Sequence, residues 1–237
     1  MLIMNADDWG RDRATTQAIL DCVSCGGVSA VSAMVFMTDS KRAATLAREH
    51  GIDTGLHLNF TTPFSAPDCP PRLAERQTVL RRYLRRHRFA QAVLRPGLAR
   101  DFDYVVRAQI DEFRRLYGAD AVRFDGHHHM HLCANVLAQR LLPAGSIVRR
   151  SFSFEPGEKG YLNRLYRRMI DRRLARRHRV ADFFFSLPPL EPPSRLARIL
   201  ALARDHVVEV ETHPVNSDEY RFLLERRLCQ RTHGGHP

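Results

Sequence analysis

Nowhere in the 237 residues do about eighteen apolar residues run together, so no segment is expected to cross a bilayer as a helix. The first residues lack a basic stretch followed by an apolar one of ~7–15 residues, and a cytoplasmic protein is expected. Lysine is almost missing: Lys41 and Lys159 are the only two, so arginine supplies nearly all of a formal net charge of +11. The arginine-rich stretches 81–88 and 164–179 lack the interleaved aromatic platform of a single-strand reader, and no specific nucleic-acid partner is expected. Five cysteines are an odd number and too few for a disulfide framework in a chain of this size. Cys22-Val-Ser-Cys25 has zinc or redox spacing, but no second such pair follows, and both cysteines fall inside an amphipathic helical pattern. Packing is the expected role. Internal repeats and low-complexity tracts are absent as well.

What is present is an alternation. At 44% hydrophobic the chain can bury a core, and residues 1–237 are read as one domain. Apolar runs at 1–6, 28–37, 52–60, 121–126, 144–150, 180–187 and 206–214 read as strands. Helical patterns separate them, the clearest at 101–118 with Val105, Val106, Ile110, Phe113 and Leu116 on one face. Such an alternation predicts βα units and a mainly parallel sheet, either a barrel or a doubly wound sheet. Residues 61–98 interrupt it with Pro63, Pro67, Pro70, Pro71 and a basic helix over about 72–93, read as an insertion over the strand ends. A second basic stretch, 161–179, gathers Leu162, Leu165, Tyr166, Met169 and Ile170 on one side. It is read as a helix covering the sheet with a charged exterior, the alternative being a surface that docks on a membrane.

Four polar clusters fall where strands should stop: Asp7-Asp8, His57 and Asn59 in GLHLN, Asp125 to His131 in DGHHHMH, and His213 in ETHP. In a parallel α/β fold these ends open on one face, where active sites lie. Each cluster alone has an ordinary use, an aspartate as a helix cap or a strand histidine as a hydrogen-bonded core residue. Four histidines in five positions do not, and histidine is the commonest metal ligand. Adjacent carboxylates at a buried strand end also call for a counter-ion. Together the clusters predict one carboxylate and two imidazoles on a divalent ion, magnesium or zinc, with a second aspartate free to act as base and His213 able to donate a proton. Spacing alone leaves the choice among His127, His129 and His131 open.

NADDWG, GLHLN, DGHHHMHL and VETHP, in this order, resemble the YdjC-like carbohydrate deacetylases, a family that includes chitooligosaccharide deacetylases and hopanoid-associated relatives. Trp9 stands where the family usually has Phe, and Gly126 where Ser is common. The resemblance implies a distorted (βα) TIM-like barrel of the NodB type. It further implies Asp8, His57 and His127 as metal ligands, Asp7 as general base and His213 as general acid. The expected reaction is hydrolysis of the N-acetyl group of an amino sugar that is free, oligomeric or linked to a lipid. Peripheral membrane contact and a homodimer stay open. Two other classes share parts of the pattern. Two histidines and a carboxylate also serve iron oxygenases, although the second aspartate would then lack a role. Arginine faces could instead make a non-catalytic binder of nucleic acid or anionic membrane, marked by steep salt dependence.

Overall fold

The computed structural model describes residues 1–87, 89–154 and 158–232, with side chains described as far as Glu225. Seven strands form one sheet: β1 (Leu2–Trp9), β2 (Ala30–Ala33), β3 (Thr54–Leu58), β4 (Arg123–Gly126), β5 (Ile147–Val148), β6 (Phe183–Ser186) and β7 (Val208–Thr212). Their order is β5-β4-β3-β2-β1-β7-β6, and every pairing is parallel. This is the order of a barrel opened between β5 and β6. The opening is partly bridged, because Ile147 pairs with Arg179 ahead of β6 and the Val148 N–H donates to the Arg179 carbonyl at 2.9 Å. The result is a curled sheet that approaches closure, which places the C-terminal ends of distant strands around one mouth.

Helices cover the outside: α1 (Arg13–Ser24), α2 (Ser40–Glu49), α3 (Pro71–Leu84), α4 (Ala99–Tyr117), α5 (Ala134–Gln139), α6 (Tyr161–Ala175), α7 (Pro193–Asp205) and α8 (Ser217–Thr232). All four positions of β2 and the last four of β3 are buried, so these strands are covered on both faces, as suits a curled parallel sheet with helices outside it. In α4 the buried stripe is Phe102, Val105, Val106, Phe113 and Leu116, with Gln109 inside it and Ile110 only partly buried. Gln109 earns its place in that stripe because its side-chain oxygen accepts from the Asn59 N–H at 2.7 Å, satisfying a donor just beyond β3.

Several expected boundaries move. The helix expected over 72–93 ends at Leu84, and a short 3-10 turn follows at Ala90–Ala92. The insertion is held rather than loose: buried Gln77 accepts from the Phe64 N–H at 3.1 Å and donates to the Thr62 carbonyl at 2.8 Å and to the Asn59 carbonyl, just beyond β3, at 3.3 Å, while Arg76 pairs with Asp101 of α4 at 2.7 Å. Asp12, not Asp7 or Asp8, caps α1 by accepting from the Thr15 N–H at 2.8 Å. Helix α6 departs most from expectation. Only Ile170 and Leu174 are buried, and much of its apolar side is open to solvent. Helix α8 was not anticipated at all. Cys22, Cys25, Cys69 and Cys133 are free thiols, and Cys229 lies outside the residues whose side chains are described. Among the described residues no helix is long and apolar enough to cross a membrane.

Candidate active site

Successive residues of a strand point to opposite faces, so Asp7 and Asp8 should diverge. Asn5 and Asp7 share one face, and the Asn5 side chain donates to Asp7 at 2.8 Å. Asp8 is turned from its regular direction because it adopts a left-handed backbone (φ 69°) and the pairing of β1 with β2 slips between Ala6 and Trp9. This bulge brings both carboxylates into one pocket, an example of strain held where function needs a particular direction.

His57 stands opposite Asp125 in the register of β3 with β4, and His57 Nδ1 lies 2.7 Å from Asp125 Oδ1. A carboxylate on one ring nitrogen aims the other, Nε2, and that atom lies 3.5 Å from Asp8 Oδ1. His127, the first residue after β4, brings Nδ1 within 2.9 Å of the same oxygen. Ligand atoms of Asp8, His57 and His127 all lie within 4.8 Å of one another, and all three residues are buried. Although these atoms are close, their angles make no hydrogen bond, and Asp8 Oδ1 and His57 Nε2 are buried without a partner. An unpaired carboxylate oxygen facing an unpaired imidazole nitrogen is costly unless a cation joins them. The donor set therefore fits a divalent ion.

The second aspartate has a different partner. Arg149, directly after β5, grips Asp7 with two bonds of 2.7 Å from its terminal nitrogens, and also reaches Asp125 at 2.9 Å, Glu209 at 2.7 Å and Glu211 at 3.3 Å. Burial alone would raise the Asp7 pKa, yet the Arg149 charge and then His57 hold it below the usual carboxylate range. Asp125 is lowered against the same burial cost by Arg149 and His57, and Ser32 donates to it. Burial also opposes charge on His57, but Asp7 and Asp125 overcome it and push the ring up to about 10. For Glu211, Arg149 and His57 compensate only in part, and burial with the nearby Asp7 charge pushes it up to about 8. Asp7, Asp125, Glu209 and Glu211 thus gather around the buried Arg149 guanidinium, with His57 beside Asp7 and Asp125.

The remaining histidines divide. His131 is fully buried and its Nε2 donates to the Arg149 carbonyl at 2.9 Å, fixing the residue that fixes Asp7. Burial depresses it to about 4. His128 and His129 both adopt left-handed backbones (φ 54° and 58°). His128 Nδ1 lies 2.9 Å from the Thr61 hydroxyl, and His129 packs edge-on against Phe152. Gly126 is required here, since a Cβ would meet the His131 amide nitrogen at 2.9 Å.

His213 follows β7 and is half-buried. Thr212 stands opposite Ala6, so His213 leaves the sheet next to the strand that carries Asp7 and Asp8. Its backbone N–H donates to Glu219 at 2.8 Å, and the same carboxylate accepts from Thr212 and Asn216. Sequence reasoning missed Arg149, whose stretch AGSIVRR shows only a strand pattern. It also missed Glu209 and Glu211, although their alternation with Val208 and Val210 in a buried strand was a readable signal.

The family model described as YdjC-like protein matches residues 1–231. A mouse protein named carbohydrate deacetylase is 32% identical over 165 residues, which cover 67% of this chain and 51% of that protein. A zebrafish protein of the same name is 29% identical over 163 residues, covering 66% and 50%. A chitooligosaccharide deacetylase of Yersinia pestis is 27% identical over 139 residues, covering 57% and 52%. The matched stretch therefore spans about half the length of these curated relatives. Among solved structures, a putative cellobiose-phosphate cleavage protein from Enterococcus faecalis V583 superposes with a TM-score of 0.61 at 17% identity, over 97% of this chain and 94% of that one, and shares the fold.

Proposed function

Because the chain belongs to the family of YdjC-like proteins, we propose that it is a metal-dependent hydrolase that removes the N-acetyl group from an amino sugar. The observation that carries this reading is the buried, unpartnered Asp8 Oδ1 and His57 Nε2 beside a second carboxylate, Asp7, that Arg149 holds ionised. The names of the mouse, zebrafish and Yersinia relatives support the substrate class. Asp8, His57 and His127 would hold the ion, and oxygen and nitrogen donors without thiolate accept magnesium or zinc. Bound there, a divalent ion would acidify a water and polarise the acetyl carbonyl, which is what a base as weak as the Arg149-paired Asp7 requires.

Asp7 takes the proton of the attacking water. Arg149 keeps its carboxylate in the basic form across the physiological range and fixes its plane, so no reorganisation precedes attack. His213 donates a proton to the departing amine nitrogen as the carbon–nitrogen bond breaks and acetate leaves. Its backbone, tied to Glu219 with Thr212 and Asn216, is supported for that position. The seven strands and the 61–98 insertion act as one catalytic domain in this reading.

Acetate release is the test, measured on N-acetylated mono- and oligosaccharides with metal stripped and returned. Activity should vanish on chelation and return with a divalent ion. No acetate under any metal, or oxygen consumption with a co-substrate instead, would refute the reading and favour an iron oxygenase built on the same donors.

A further inference from the structure

The segments that follow α5 and α6 meet at the N-terminal end of β5, whereas Arg149 follows its other end. Gly145 donates its N–H to the Arg177 carbonyl at 2.9 Å, and Arg179 donates its N–H to the Ser146 carbonyl at 3.0 Å, so the two segments are fastened to each other. Beside them lies a cavity of about 310 Å3. Buried Val136, Leu142 and Leu174 form its floor. Its polar lining is Arg140, Arg173, Arg176, Arg177 and His178, and among the described residues no carboxylate lines it.

Other arginines of the chain are neutralised from within: Arg42 pairs with Asp39, Arg76 with Asp101 and Arg150 with Asp171. The four around this cavity have no ion-pair or side-chain hydrogen-bond partner among the described residues. Burial and then the Arg177 charge hold His178 below the ordinary histidine value, and its Nδ1 lies 3.1 Å from the Ser146 hydroxyl. The positive charge of the lining is therefore that of the four guanidinium groups. Part of it answers the carbonyl end of α6, since Arg173 lies in the last turn and Arg176 is the C-cap. That role does not extend to Arg177, beyond the helix, or to Arg140, which caps α5 in a left-handed backbone (φ 55°) that favours glycine. Four like charges around one concavity repel one another until an anion enters.

We propose that this cavity is a binding site for a chain of two or three linked phosphates, separate from the catalytic pocket. Guanidinium forks bond phosphate oxygens in pairs, which suits arginine rather than lysine to the task. A single phosphate group carries about −1.5 to −2 and leaves half of the four charges unmatched, whereas linked phosphates come close to matching them. The volume stands at the lower end of the roughly 300–1,000 Å3 of small-molecule sites, room for a compact group and not for a duplex or a bilayer surface. Apart from His178 no aromatic ring lines the cavity, so there is no platform for a stacked base and the phosphates themselves are what is recognised. None of Asp7, Asp8, His57, His127 and His213 belongs to the lining, and the inference is independent of the deacetylase reading.

The test is calorimetry of the full chain with inorganic triphosphate, pyrophosphate and orthophosphate, at about 0.15 M salt and without divalent ions. Triphosphate should bind once per chain, at least about tenfold tighter than orthophosphate, the worth of one further charge-assisted bond. The double variant Arg173→Ser, Arg177→Ser should weaken it at least about tenfold. Arg168→Ser with Arg172→Ser removes the same charge from exposed positions of α6 outside the lining, and should change the affinity less than about threefold at that screening. Arg140→Gly, which keeps the left-handed backbone, is a second variant on the other helix and should weaken binding at least about threefold. ATP titrated alongside distinguishes the sources: tighter binding than triphosphate names a nucleoside triphosphate, equal or weaker binding names the inorganic chain, and either result supports the site. Equal losses in the two double variants, or orthophosphate binding as tightly as triphosphate, overturn the inference. So does a duplex oligonucleotide or a phosphatidylglycerol vesicle that binds through Arg173 and Arg177 while triphosphate does not, which assigns these arginines to a macromolecular surface.

Discussion

Asp7 and Asp8 are neighbours in the chain and opposites in the fold. Around Asp7 every charge has an internal partner: Arg149 binds it twice, and Asn5 binds it once. Around Asp8 the pairing is incomplete, with Arg11 from the half-exposed surface on Oδ2 and nothing hydrogen-bonded to Oδ1. The difference teaches that a carboxylate paired inside the protein is satisfied by the fold alone, whereas one left partly unpaired beside two imidazoles has room for a cation. The first half of the pocket is complete without a guest, and the second is not.

The strongest way to break this comparison is Arg149→Met. Removing one partner of a buried ion cluster typically costs about 3–5 kcal/mol, because the charges left behind have no compensation. Urea denaturation of the metal-free protein should show a loss of that order, and a loss below about 1 kcal/mol would mean the paired half is not self-contained. Asp7→Asn comes next. Turnover should fall about 100- to 10,000-fold, the span of general-base contributions, with metal affinity by calorimetry changed less than about threefold. Full activity in that variant would refute the base assignment.

Asp8→Asn should do the reverse. Metal affinity should drop by more than the roughly 10- to 100-fold that supporting residues alone are worth, while stability of the metal-free protein stays within about 1 kcal/mol. A large loss of metal-free stability would place Asp8 with the paired half. The smallest effect concerns Glu211, whose folded pKa of about 8 lies above the ordinary glutamate value. A raised folded value gives stability that is full below about pH 4.3 and is lost as pH rises through about 8. Metal-free Glu211→Gln should therefore lose less melting temperature than wild type between pH 5 and 8.5. Parallel pH curves for the two proteins would show that Glu211 does not titrate in that window.

Much of this arrangement was readable from strand ends. Three of the four clusters converge because parallel strands deliver their last residues to one mouth, so Asp8, His57 and His127 meet although they are far apart in the chain. Arg149 escaped detection because an arginine is unremarkable in a chain with so many, and nothing local distinguishes it from Arg150. Both follow the same short strand, yet Arg149 is buried among carboxylates and Arg150 reaches Asp171 on α6. Helices α4 and α6 show the same limit from the other side. Each has an amphipathic period, but α4 lays its apolar stripe on the sheet and α6 leaves most of its own uncovered.

Residue type and order by themselves determined the alternation of strands and helices, because apolar periodicity is a local property of the chain. They also determined which segments end in groups able to bind a cation. Only the folded arrangement decided which aspartate Arg149 would neutralise, which histidine of DGHHHMH would face Asp8, and which apolar helix face would remain uncovered. Each of those outcomes depends on the neighbour that arrives from a distant strand, and on whether burial beside that neighbour satisfies a charge or strands it.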